Sequence, residues 1–207
     1  MVPYRFSLPG TWEALDLDRR TDIKSLTTLL NRRVDARVPQ ADRRRLLTSL
    51  HRAVRAAAAA GAMQGAIFAE AVEEEVVGAS LFVSAVPSVD VLTEQGIDLD
   101  AVAAQLEPAL AAVCEGGLVE VERVELPVAP AVRARYRIMA EAMGQRMVSR
   151  EVQYYVPTPD QASLLVFQFS TPTIPVEAAF EDLFAAIAES LEWEDGLVPA
   201  RAEVPGS

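Results

Sequence analysis

The sequence predicts an α+β fold, a single antiparallel sheet of about six to seven strands packed with three to four helices. Three observations carry that prediction. The C-terminal quarter runs from an apolar strand, Leu164-Leu165-Val166-Phe167-Gln168-Phe169, through a proline-bounded turn, Ser170-Thr171-Pro172-Thr173-Ile174-Pro175, into an amphipathic helix closed by Trp193. Val176, Ala179, Phe180, Leu183, Phe184, Ile187 and Leu191 form one stripe of that helix, and such a stripe must bury against a sheet. Val132 to Ala140 alternates between apolar Val132, Ala134, Tyr136 and Ile138 and charged Arg133, Arg135 and Arg137, which is the period of a strand. The strands of the second half follow one another through short connections, which favours antiparallel pairing.

In chain order, Phe6-Ser7-Leu8-Pro9-Gly10-Thr11-Trp12 reads as a strand and tight turn leading into a second strand through Leu15 and Leu17. A first helix follows from about Thr21, with Ile23, Leu26, Leu30 and Val34 at helical spacing. Pro39 separates it from a second helix, Ala41 to Ala60, striped by Leu46, Leu50 and Val54 and stopped at Gly61. Ala66–Val72 and Val76–Val86 read as a hairpin with a solvated Glu73-Glu74-Glu75 tip, and Pro87 to Gly96 as a loop. Asp98 or Asp100 caps a third helix carrying Leu99, Val102, Leu106, Leu110 and Val113, with a kink or restart expected at Pro108. After Gly116-Gly117 come strands at Leu118–Leu126, Val132–Ala140, Val148–Val156 and Ser163–Phe169, with turns at Gly144 and at Pro157-Thr158-Pro159-Asp160. Residues 1–193 read as one domain and 194–207, polar and punctuated by proline and glycine, as a flexible tail.

Composition narrows the function classes. The net charge of −11 argues against nucleic acid, whose phosphates need a basic surface. The charge is also segregated. Residues 1–60 hold 12 of the 19 Lys and Arg but only 6 of the 30 Asp and Glu, a net of +6, which leaves −17 on the remainder. Such asymmetry drives intramolecular docking, self-association or binding of a charged partner. One cysteine, Cys114, forbids an intrachain disulfide. The N-terminus lacks a signal-peptide layout, and the Ala56–Ala69 run is too short and too weakly apolar to span a bilayer, so a cytoplasmic location is expected, without membrane insertion.

Catalytic and metal motifs are not found. One histidine and one cysteine cannot make a zinc or redox-metal cluster, and no phosphate-cradling glycine loop is present, so no cofactor is expected. His51 lies on the second helix without a nucleophile motif and reads as a helix-flank residue. Cys114 reads as a small core hydrophobe. Two basic features remain. Arg133, Arg135 and Arg137 lie at period two on one sheet face, where Glu120, Glu122 and Glu151 could meet them. The row is either a cross-strand charge ladder or a surface for an acidic partner. Arg43, Arg44 and Arg45, with Arg32 and Arg33, make a basic helical region that could dock an acidic protein or membrane surface, or pair with this chain's own acidic remainder.

The Phe6-x-Leu8-Pro9-x-x-Trp12 opening and the Phe167-x-Phe169-Ser170-Thr171-Pro172…Phe180…Phe184…Ile187…Ser190-Leu191-x-Trp193 close resemble the PsbP-like superfamily, LpqN-like members included. The resemblance implies an antiparallel sheet between helices and protein binding without catalysis, and it carries over no binding residue. Two departures stand against that pattern, the long double-helix insertion and an Arg133 row that would leave one sheet face partly uncovered. The Ala/Arg/Val/Glu-rich style with few lysines is similar to that of high-GC actinobacterial proteins. The expected function is a non-enzymatic protein-interaction module, an adaptor or accessory factor of a secretion or envelope system, with a homo-oligomer open. The alternative is a binder of a small apolar ligand held between alanine-lined helices and the sheet. An enzyme would need carboxylates such as Glu70, Glu120 or Glu151 to converge in one cleft.

Overall fold

Strand pairing, more than helix content, organises the molecule. The structure is a computed structural model that describes residues 2–15, 17, 23–34, 38–72, 75–114, 117–142 and 145–194. Its elements are β1 (Tyr4–Arg5), β2 (Glu13–Leu15), α1 (Ile23–Arg33), α2 (Gln40–Ala59), β3 (Gln64–Val72), β4 (Glu75–Pro87), β5 (Leu92–Thr93), β6 (Gly96–Ile97), α3 (Leu99–Val113), β7 (Val119–Glu125), β8 (Pro130–Ala142), β9 (Gln145–Pro157), β10 (Ser163–Thr171), α4 (Glu177–Glu189) and β11 (Glu192–Trp193). Seven strands form the main sheet in the order β2-β3-β4-β10-β9-β8-β7, every pair antiparallel. The expected α+β architecture is therefore observed.

Alternation along the strands divides the apolar residues between two faces. On one face Ala66, Leu81, Val83, Val152, Tyr154, Phe167 and Phe169 meet Phe180, Phe184 and Ile187 of α4. Each such large side chain taken from water contributes about 1.5–3 kcal/mol. The opposite face carries separate clusters. Ile67, Ala69 and Phe82 lie under Leu26, Leu30, Leu46, Leu50, Val54 and Ala57 of α1 and α2. Val132, Ala134 and Tyr136 lie under Val102, Leu110 and Cys114 of the α3 region. Helices thus stand on both faces, while the β7–β8 edge that carries the arginine row stays partly exposed, with Glu120, Glu122 and Arg137 reaching solvent.

Local signals explain the helix ends. Asp98 caps α3, its Oδ1 accepting from the backbone N–H groups of Asp100 (2.9 Å) and Ala101 (3.1 Å). Gly61, at φ +74°, ends the α2 segment in a conformation glycine adopts freely. Gly78 on β4 allows α2 to approach, since a β-carbon there would lie 2.5 Å from Leu46 Cδ1.

Four local expectations need correction. The N-terminal strand does not form a hairpin with β2. Instead Tyr4 and Arg5 pair with Trp193 and Glu192, while β2 joins the sheet edge beside β3, after the turn closed by Trp12 N–H to the Pro9 carbonyl (2.9 Å). Trp193 accordingly belongs to β11, beyond the end of α4, and packs edge-on against Tyr4. The segment expected as a loop, Pro87 to Gly96, contains a 3-10 turn at Val89–Val91 and the first strand of the small β5–β6 hairpin, and ends at Gly96, which opens the second. Pro108 lies inside α3, which runs unbroken from Leu99 to Val113, so the helix does not restart there; adjacent turns and burial of Leu110 hold it together despite the missing donor. Glu73 and Glu74, Gly116, Gly144 and the expected tail beyond residue 194 lie outside the described residues.

Candidate functional site

The arginine row sits on the α4 face of β8, and the register shows what meets it. Arg133 and Arg135 stand opposite Glu122 and Glu120 of β7. Arg133 Nη2 lies 2.9 Å from Glu122 Oε1, and Arg135 Nη2 lies 2.7 Å from Glu120 Oε2 and 3.0 Å from Glu122 Oε1. From above, α4 adds two further carboxylates. Glu177 pairs with Arg137, its Oε2 accepting from Nε at 3.1 Å. Glu181 bridges Arg135 (3.3 Å) and Arg150 of β9 (2.6 Å). Four guanidinium groups thus meet four carboxylates, and the row ties strands β7, β8 and β9 to α4. Glu151 is absent from this set. Arg133 faces Tyr154 across β8–β9, so position 151 points to the other side of the sheet, and the expected Arg–Glu151 contact is not made.

The basic helical region is disposed differently. Arg32 and Arg33 reach Glu13 of β2, at 3.9 and 2.7 Å, Arg43 bonds Asn31 of α1, and Arg45 lies 3.5 Å from Asp42. Arg44, Arg52 and Arg55 are exposed and make no ion pair among the described residues. Helical geometry explains their common direction. Leu46, Leu50, Val54 and Ala57 face the sheet, and positions 44, 52 and 55 fall on the opposite side of the same helix. The result is a row of exposed guanidinium groups along the outer face of α2.

Glu151 heads a feature that strand alternation hints at but cannot bury. Ser149, Glu151 and Gln153 on β9 and Gln168 and Ser170 on β10 are polar residues in mid-sheet on the face shared by α2 and α3. α2 packs on β4 and α3 on β7 and β8, leaving β9 and β10 beneath the seam between the two helical blocks. The Glu151 carboxylate is only 4% exposed and accepts a hydrogen bond from Ser170 Oγ (2.7 Å), which lies 2.8 Å from Ser149 Oγ. Burial pushes its pKa up to about 7, against the opposing pull of the Ser170 and Ser149 hydroxyls and the Arg52 charge. Burial likewise raises the Cys114 thiol, helped by the Glu151 charge, in keeping with its expected role as a core residue.

A cleft of about 870 Å³ lies at one end of the sheet, between the β5–β6 hairpin and the β7–β8 and β9–β10 turns. Ile97, Val128, Pro130, Pro157 and Trp193 supply apolar wall, and Arg123 its basic group, paired with Asp100 at 3.3 Å. Gln161, at φ +57°, holds the hairpin in place: its Oε1 accepts from Ile97 N–H (2.9 Å) and its Nε2 donates to the Thr158 carbonyl (3.2 Å). The alanine-lined space expected between helix and sheet takes a different form, since Ala57 and Ala69 close against Ile67 and Phe82. Glu70, Glu120 and Glu151 do not converge: Glu120 lies on the α4 face and Glu151 on the other, while Glu70 sits on β3 at the far side of the sheet. Among the described residues no three His, Cys, Asp or Glu side chains are placed to hold a metal ion, and no helix is long and apolar enough to cross a membrane.

No family model and no curated protein matches the chain. Among solved structures, it is similar to LpqN, described as involved in cell envelope biogenesis of Mycobacterium tuberculosis, at 12% identity and a TM-score of 0.44 over 91% of this chain and 81% of that one.

Proposed function

We propose that this chain is a non-enzymatic protein-interaction module that presents the outer face of α2 to an acidic partner protein. The observation that carries the reading is the contrast between two arginine sets. Arg133, Arg135 and Arg137 are matched by carboxylates of the same chain, whereas Arg44, Arg52 and Arg55 are exposed and make no ion pair among the described residues. An unmatched row of one sign steers and orients an oppositely charged partner. Membership of the PsbP-like superfamily, a cytoplasmic location and an accessory role in a secretion or envelope system complete the reading, supported by the Leu8-Pro9…Trp12 and Phe169-Ser170-Thr171-Pro172 motifs and by composition.

The test is affinity purification from the native host with wild type and with an Arg44→Glu, Arg52→Glu, Arg55→Glu variant. The wild type is expected to recover a specific acidic protein that the variant loses, while far-UV circular dichroism stays the same. Retention of every specific partner by the variant removes the reading. The sheet-end cleft favours a second reading, a small apolar ligand seated against Trp193 and Ile97. Native mass spectrometry of the purified chain distinguishes it by showing co-purified mass that a Trp193→Ala variant lacks.

A further inference from the structure

The two edges of the main sheet are finished differently. One edge is β2, three residues long and too short to template a partner strand. The other is β7, seven residues from Val119 to Glu125, with β8 on its inner side. Its register runs without interruption from Val119 opposite Tyr136 to Glu125 opposite Pro130, so no bulge twists the edge away. No proline breaks the strand, and α3 packs on the face that carries Val119 and Val121. Alternate residues of an edge strand turn their N–H and C=O groups outward. Among the described residues no strand meets those of β7.

Side chains along this edge select what can pair with it. Alternation sends Glu120, Glu122 and Val124 to the α4 face and Val119, Val121, Arg123 and Glu125 to the α3 face. Arg133 and Arg135 reach Glu122 and Glu120 from the β8 side, yet both glutamate side chains stay about 40% exposed. A carboxylate has about four acceptor sites, which leaves room for a further guanidinium from an added strand. Leu118, immediately before β7 and 75% exposed, adds an apolar position at the end. A second copy of the chain is the wrong occupant. Antiparallel self-pairing centred on Val121 sets Glu120 against Glu122. Centring on Glu122 or on Arg123 sets that residue against itself, and like charges directly opposite are destabilising.

We propose that the outer edge of β7 is a strand-addition site for an extended segment of another protein, with basic residues opposite Glu120 and Glu122. In antiparallel register, from Glu125 back to Leu118, that segment reads basic, apolar, acidic, basic, apolar, basic, apolar, apolar. Main-chain hydrogen bonds supply its affinity and alternate side chains its specificity. The site lies on a different surface from the outer face of α2 and takes the opposite charge. It therefore stands whether or not α2 docks a partner.

The probe is the capped peptide Lys-Val-Glu-Arg-Val-Arg-Val-Leu, titrated into the isotope-labelled full chain and followed by NMR and hydrogen exchange. Binding is expected to protect alternate amides between residues 119 and 125 and to leave those of α2 unmoved. Two forms of the peptide, methylated on the backbone nitrogens of one edge or of the other, separate edge pairing from charge attraction. One form is expected to lose binding and the other to keep it. Glu125 is exposed, so Glu125→Lys leaves the fold intact and is expected to weaken binding roughly two- to fivefold. A peptide with glutamate in place of its lysine is expected to recover that loss. No binding, protection elsewhere than β7, equal binding by the two methylated forms, or no recovery by the exchanged peptide overturns the proposal.

Discussion

Leu46 of α2 fills the space that a β-carbon on Gly78 of β4 would occupy, its Cδ1 lying 2.5 Å from that position. The backbone at Gly78 is fully engaged as well. Its N–H donates to Thr173 Oγ1 (3.1 Å) and its carbonyl accepts from Thr171 Oγ1 (2.7 Å). The strand cannot move away from the helix without breaking these bonds. Gly78→Ala is therefore expected to destabilise the fold by about 1–3 kcal/mol, the usual cost of overpacking. A compensating Leu46→Val should recover part of the loss, read as a coupling term in a urea-denaturation double-mutant cycle.

Glu151 makes stability depend on pH. Its folded-state pKa, about 7, lies above the ordinary carboxylate value, so the folded chain binds the proton more tightly than the unfolded one. The associated stability is fully present below the ordinary carboxylate range and is lost as pH rises through 7. Wild type is expected to weaken between about pH 5 and pH 8 by up to about 3 kcal/mol. Glu151→Gln should flatten that slope, as measured by urea unfolding at a series of pH values. A Glu151→Gln slope equal to that of wild type would contradict the assignment.

The two acidic residues of α4 should differ in weight. Glu181 neutralises Arg150, whose side chain is 14% exposed, together with Arg135, whereas Glu177 neutralises Arg137, which is 51% exposed. Removing the first leaves charge stranded in a poorly hydrated place, and removing the second leaves a guanidinium that water can solvate. Glu181→Ala is expected to cost about 1–3 kcal/mol and Glu177→Ala less than about 1 kcal/mol. Chemical denaturation of both variants checks the order.

Gln161 anchors the β5–β6 hairpin through its side chain, and Gly96 of that hairpin already sits close to the amide, with a β-carbon there coming 3.0 Å from Gln161 Oε1. Gln161→Ala is expected to leave the global transition within about 1–2 kcal/mol of wild type while releasing Ile97 N–H. Faster hydrogen exchange at Ile97, with little change at Phe167 in mid-sheet, is the expected signature.

Much of this was legible in residue order. The Asp98 cap, the clean alternation of Val132 to Ile138 and the strand–proline turn–helix of the C-terminal quarter each depend on neighbours in sequence, and each is found in place. Partnerships between distant segments were less legible. Nothing in Tyr4-Arg5 announces a pairing with Glu192-Trp193, because either strand alone is two residues long. The misplacement of Glu151 has a single geometric origin. Arg133 pairs with Tyr154, so odd positions of β8 share a face with even positions of β9, and only the register of the intervening turn decides that parity. For the site, charge segregation pointed to the basic helices. It could not show that the arginines of the sheet would be matched by Glu120, Glu122, Glu177 and Glu181 while Arg44, Arg52 and Arg55 make no ion pair among the described residues.

The pairing of β1 with β11, extended by the Glu194 N–H bond to the Pro3 carbonyl (3.0 Å), makes the described chain enter and leave the fold at one point. A pulling force applied between residues 3 and 194 would therefore load two residue pairs first and the seven-stranded sheet only after they part. The same proximity suits the molecule to insertion as a cassette into a surface loop of another protein, where both junctions would emerge side by side. The outer face of α2 takes no part in that junction.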